Sequence, residues 1–128
     1  MGMGVTSLFD PDAAWRREVG FDRACYDLMD NETGGAGGEI AAAFIEISAA
    51  RKQEMISAAE RGDIVELKLL AHAAKSGAKS LGLFRLAGLC ELVERRAKAG
   101  TGDAGALAPD LAAEFDAAVA VLSGLGEA

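Results

Sequence analysis

The residues best suited to chemistry lie in one short run. Ala71-His72-Ala73-Ala74-Lys75-Ser76-Gly77-Ala78-Lys79-Ser80-Leu81-Gly82 contains the chain's single histidine, with Lys75 and Ser76 three and four positions after it. Lys68 stands four positions before it and Lys79 seven after. On a helix, positions three, four and seven apart are neighbours, so these side chains surround the imidazole. Neutral imidazole is a good nucleophile near pH 7, because free histidine titrates at about 6.5. A lysine beside it can neutralise a dianionic group in transit and after arrival. The chemistry this suits is transfer of a dianionic group such as phosphoryl, with His72 as nucleophile and a nearby lysine neutralising the charge. Ser76 could supply a hydrogen bond. Val65 and Leu69 lie on the same face, and with Lys68 and Lys79 they offer a docking surface for a partner. A solvated face with an inert histidine is the plainer reading, and periodicity alone does not separate the two.

The element that must position these groups runs from Asp63 to about Leu81, and Gly82 stops it. Asp63 with Glu66 three residues on forms a capping-box pattern. At 100° per residue, Ile64, Leu67, Ala71, Ala74, Ala78 and Leu81 fall within roughly 100° and make the buried stripe, with His72 roughly 140° from its centre. Three similar helices are expected around it. One runs from about Glu39 to Arg61, with Ile40, Ala43, Phe44, Ile47, Ala50 and Ala58 on one side, and ends at Gly62. Another carries Leu83, Leu86, Cys90, Val93 and Ala97 and ends near Lys98 and Gly100. The last starts near Pro109 and carries Leu111, Phe115, Ala118, Leu122 and Leu125. Before them, Gly20 divides two short helices, one starting at Asp10-Pro11 and one at about Asp22 to Met29. Their Trp15, Val19, Phe21 and Leu28 are expected to cap one end of the bundle. Gly34 to Gly38 and Gly100 to Gly105 read as connectors, and neither carries the Lys-Ser/Thr ending of a phosphate-binding loop.

The expected fold is therefore all-α: one domain over 1–128, with N-terminal short helices and a Gly-rich loop over 1–38. Residues 39–125 form an antiparallel up-and-down four-helix bundle. Composition agrees. Hydrophobic residues make up 51% of the 128, while aromatics are only 5%, so aliphatic side chains and alanine must fill the core. The net charge of −7 argues against nucleic acid as a partner. No apolar run reaches membrane-spanning length, and no secretory signal pattern is present. Cys25 and Cys90 give neither a disulfide framework nor a metal spacing, and both are expected to be reduced core residues. A single histidine without a Glu-x-x-His pair gives no metal site. A cytoplasmic location fits these features.

The run around His72 resembles the histidine-containing phosphotransfer (HPt) family: a phospho-accepting histidine, lysine at the third position after it, small residues, then Leu81-Gly82. The Gly62-Asp63 helix start and Leu89-Cys90-Glu91 resemble the family too, and the likeness extends at least from Glu39 to Gly100. It implies that His72 is phosphorylated and that Lys75 stabilises the phosphoryl group. It further implies a relay between receiver-domain aspartates, or from a hybrid histidine kinase to a response regulator. Mg²⁺ is then expected on the partner receiver domain, with no cofactor on this chain. The protein would be a monomeric phosphoryl carrier without kinase activity of its own. The chain departs from the family at Ser76, where glycine is usual, with Gly77 one step later, and at Ala74, where a larger aliphatic residue is common. An HPt-like adaptor that binds a receiver without accepting phosphate is the alternative.

Overall fold

The computed structural model describes residues 11–100 and 103–125, and every regular element among them is helical. Five α-helices follow one another: α1 (Arg23–Glu32), α2 (Gly37–Glu60), α3 (Ile64–Ser80), α4 (Phe84–Ala99) and α5 (Ala108–Leu125). Short 3₁₀ segments, Pro11–Arg17 and Asp103–Leu107, precede α1 and α5. The longer helices pack in sequence, α2 on α3, α3 on α4 and α4 on α5, and α5 returns to α2.

Two glycine turns bracket α3. Gly62 (φ +69°) and Gly82 (φ +79°) occupy the left-handed region that L side chains avoid. At each turn the glycine N–H and the next N–H close back on the preceding helix. Gly62 bonds Ala59 O and Asp63 bonds Ala58 O, while Gly82 bonds Lys79 O and Leu83 bonds Ala78 O. Asp63 then caps α3, its carboxylate accepting the Glu66 N–H at 3.1 Å. The reciprocal arm of the capping box is pre-empted, because the Asp63 N–H is already bonded to Ala58.

The stripe expected on α3 is the buried one. Leu67, Ala71, Ala74, Ala78 and the following Leu81 lie in the core, and Ile64 is half-buried. Small side chains here let α2 come close: a Cβ on Gly77 would sit 3.5 Å from the Phe44 ring. Phe44 stacks on Phe115 of α5 at 6.3 Å between centroids.

On α2 the expected stripe holds in part: Phe44 and Ala58 are buried and Ile40 is half-buried. Ala43, Ile47 and Ala50 face solvent, whereas Gly37, Ala41, Phe44, Ser48, Met55 and Ala58 are buried. The helix is apolar on several sides, so hydrophobicity alone marks no face. Ser48 tolerates burial by donating its hydroxyl to Phe44 O at 2.6 Å. The bundle helix also begins earlier than Glu39. Asp30 accepts the Gly37 N–H at 2.8 Å, which shortens the expected glycine loop.

The N-terminal segment does more than cap one end. Trp15 is buried along α4, 3.1 Å from where a Cβ on Gly88 would stand, and on α4 Leu89 and Leu92 are buried as well as the expected Leu86, Cys90 and Val93. Phe21 is half-buried, but Val19 and Leu28 are exposed, contrary to expectation. Val19 contributes its backbone instead, its carbonyl accepting the Arg85 N–H at 3.0 Å at the start of α4. The expected first helix is a 3₁₀ segment, and Asp10 lies outside the described residues. Cys25 is only partly buried, unlike Cys90, and its thiol lies 3.7 Å from Lys79 O. Of the expected connector Gly100 to Gly105, Asp103 to Gly105 belong to the second 3₁₀ segment, with Ala104 buried, so that part is packed structure.

Candidate functional site

His72 projects from the outer face of α3 with 70% of its side chain exposed. Val65 (71%) and Leu69 (60%) stand on the same face, one helical turn apart, and together make a small exposed apolar patch. Lys68, Ser76 and Lys79 are exposed there too. Lys75 is not: it folds along the α3–α4 seam and keeps 19% exposure.

The residue that joins these groups is Glu94 of α4. Its Oε2 lies 3.0 Å from His72 Nδ1 and its Oε1 lies 2.8 Å from Lys75 Nζ. Burial would raise the Glu94 carboxyl, but the contacts with Lys75 and His72 outweigh it and hold the group below its ordinary value. The Lys75 ammonium is raised, first by its bond to Glu94 and further by the charges of Glu94 and Glu91. Lys75 and Glu94 therefore form an ion pair near pH 7. The Lys75–Oε1 contact is close but poorly aligned as a hydrogen bond, since Oε1 has no bond of good geometry.

This arrangement selects a tautomer. An ionised carboxylate only accepts, so the hydrogen between Glu94 and His72 must sit on Nδ1. The lone pair of the neutral ring is then on Nε2. The ring thus turns an unprotonated nitrogen away from Glu94 on an exposed face that it shares with Val65 and Leu69, while Lys75 lies within one helical turn in the seam.

Ser76 makes no hydrogen bond to the unphosphorylated ring, and its carbonyl accepts the Ser80 hydroxyl at 3.2 Å. The imidazole is held from α4 instead. Gly77 does not replace the usual glycine by a one-residue shift, because it faces Phe44 inside the bundle. Cys90, one turn before Glu94, is buried and its thiol is pushed up to about 12 by that burial, which keeps it protonated at neutral pH. Among the described residues no cluster of His, Cys, Asp and Glu could hold a metal ion, and no helix is long and apolar enough to cross a membrane.

Sequence reasoning missed Glu94, yet a signal existed. When two helices fold back at a tight turn, residues about equally far from it face each other. His72 lies ten residues before Gly82 and Glu94 twelve after, on the flank of the Cys90–Val93 stripe.

A family model for the Hpt domain matches residues 39–123, which is more than half the chain. The chain belongs to the Hpt domain family, whose members serve histidine phosphotransfer in phosphorelay and two-component signalling. Among solved structures, histidine-containing phosphotransfer protein B (HptB) from Pseudomonas aeruginosa PAO1 is similar in fold. It has a TM-score of 0.74 at 24% identity, over 82% of this chain and 92% of that one. No curated protein matches.

Proposed function

We propose that this protein relays a phosphoryl group through His72. A receiver domain bearing an aspartyl phosphate docks over Val65, Leu69, Lys68 and Lys79, and Nε2 of His72 attacks the phosphorus. Lys75 turns from Glu94 towards the phosphoryl oxygens, and the group later passes to the aspartate of another receiver. A hybrid histidine kinase at one end and a response regulator at the other fit this order. The partner receiver supplies Mg²⁺ and acidic residues, and this chain supplies the nucleophile and the lysine. The protein is a carrier with no kinase activity of its own, acting as a cytoplasmic monomer, and α2 to α5 form its up-and-down bundle.

The observation that carries this reading is the Glu94–His72 contact at 3.0 Å on an imidazole that remains 70% exposed. A structural histidine would be buried with its partner. Here the partner is largely buried and the ring is presented to solvent.

The experiment is phosphotransfer from a panel of phosphorylated receiver domains to wild-type protein and His72→Gln. Acid-labile, base-stable label on wild type alone is expected. Stoichiometric label on His72→Gln would refute the assignment. Binding of a receiver by both proteins without label on either would favour the adaptor reading, for which the side chain of Ser76 beside His72 is the motivating feature.

A further inference from the structure

α2 carries two stripes side by side. One is the core face through Ala41, Phe44, Ser48, Met55 and Ala58. The other runs through Ala42, Ile45, Ala49, Lys52, Ile56 and Ala59 at alternating steps of three and four, the spacing with which one helix packs against another. α5 covers this second stripe only in part. Ala42 and Ala49 are exposed, and Ile45, Ile56 and Ala59 are half-buried. Three cavities of about 350, 190 and 270 Å³ lie in a row along the α2–α5 seam. Ala112 lines the first from α5, Val119 the second and Leu125 the third. Together they form one groove from Gly38 to Ala59, about 32 Å long at 1.5 Å per residue.

The charges around the groove say what would fill it. Lys52 reaches across to Asp116 at 2.8 Å, so the floor carries no net charge. Glu39, Glu46 and Glu60 fall in one row beside the stripe, at multiples of seven residues, with Gln53 between them. Such flanking positions are where paired helices exchange ion pairs. All three carboxylates are exposed, and among the described residues no cation pairs with them. The α5 rim opposite, Ala113 and Ala120, is exposed and uncharged. An apolar floor with an anionic rim on one side matches a helix that is apolar along one stripe and basic along one flank. A second copy of this chain matches poorly, because it brings the same three carboxylates and a further net charge of −7.

We propose that the α2–α5 groove is a docking site for an amphipathic α-helix of another protein, whose apolar stripe lies on Ile45, Ile56 and Val119 and whose lysine or arginine row meets Glu39, Glu46 and Glu60. The helices pack in the order α2, α3, α4, α5 and back to α2, so this groove lies across the bundle from the α3–α4 seam and His72. It is open while that face is occupied, and the inference does not rest on phosphotransfer.

The test uses the full chain and a synthetic model helix of about 21 residues, the length of the groove. The probe has leucine at the apolar positions, lysine at the flanking ones and alanine elsewhere, and its control has glutamate for lysine. Calorimetry should give saturable binding of the lysine peptide and none of the glutamate peptide. Amide shifts should move at Ala42, Ala49 and Val119 and stay in place at Leu69 and His72. Replacing Glu39, Glu46 and Glu60 together by glutamine should weaken binding about fivefold to tenfold, the size of three exposed ion pairs. The same change at the exposed Glu18, Glu32 and Glu54, which lie off the groove, removes equal charge and should leave binding within about twofold. Ala49→Gln should weaken it about tenfold, since its amide loses water without gaining a partner. These positions are exposed, so circular dichroism should show every variant folded; if Ala49→Gln is not, the two triple variants decide. Absence of saturable binding, equal loss in the two triple variants, or shifts centred on His72 overturns the inference. Self-association of the chain alone that Ala49→Gln abolishes would assign the groove to a second copy and overturn it as well.

Discussion

Gly82 ends the helix that carries His72, and its replacement by alanine should be far more damaging than the same change at Gly62. Both glycines have left-handed backbone, φ +79° and φ +69°. An alanine there costs about 1–2 kcal/mol from the backbone alone. At Gly62 nothing lies within 4 Å of the added Cβ, so that is the whole effect. At Gly82 the Cβ would meet the Asp22 carbonyl oxygen at 2.6 Å, a backbone atom that cannot rotate away. Relief requires the Asp22 segment to move, which breaks the bond from Asp22 N–H to Gly82 O, now 2.8 Å, worth about 1 kcal/mol. It also disturbs Asp22 as the N-cap of α1, where its carboxylate accepts the Cys25 N–H at 3.1 Å, a further cost of about 1 kcal/mol. The expected loss is about 3–4 kcal/mol for Gly82→Ala against about 1–2 kcal/mol for Gly62→Ala. Equilibrium urea unfolding measures both, provided the slopes match wild type. Hydrogen exchange should show α1 amides opening sooner in Gly82→Ala only. Equal destabilisation of the two variants would refute the claim that the α3–α4 turn is locked to the N-terminal segment.

Two further outcomes follow from charged groups. Lys75→Gln should slow phosphoryl uptake by His72 roughly 100-fold, the scale of losing one preorganised charged donor, measured as the initial rate of labelling from a phosphorylated receiver. Glu114 has its carboxyl raised by burial despite Arg85 and Arg16 nearby. A carboxyl that ionises at higher pH in the folded than in the unfolded chain loses stability as pH rises from about 4.5 through its folded value. Glu114→Gln should therefore be more stable than wild type at pH 7, and the gain should vanish by pH 3, as read from urea midpoints at the two pH values.

What could be read from the sequence tracks how locally each feature is determined. The α3 stripe, the Asp63 cap and the turns at Gly62 and Gly82 are set within a few residues. A cap needs one side chain and one N–H, and a left-handed turn needs one glycine. The exposed position of His72 follows from the same wheel. The α2 stripe held only at Ile40, Phe44 and Ala58, because Ile47, Ala43 and Ala50 are as apolar as the residues that are buried, so the partner helices choose the face. The burial of Trp15 along α4 was illegible for a related reason: nothing in the Pro11–Arg17 segment says which helix it crosses.

The candidate site divides along the same line. His72, Lys75, Val65 and Leu69 share one helix, so their spacing was enough to group them. Glu94 lies 22 residues from His72, and only the register of α3 against α4 brings its carboxylate to 3.0 Å. That register is itself set by the Gly82 turn, because a change in the turn by one residue would rotate α4 by about 100° and carry Glu94 off the seam. The glycine that stops the helix thus also determines which carboxylate reaches the imidazole. The fold and the chemistry meet at this point: a variant that loosened the Gly82 turn without unfolding the bundle should lose the Nδ1 contact before it loses the exposed face on which a receiver docks.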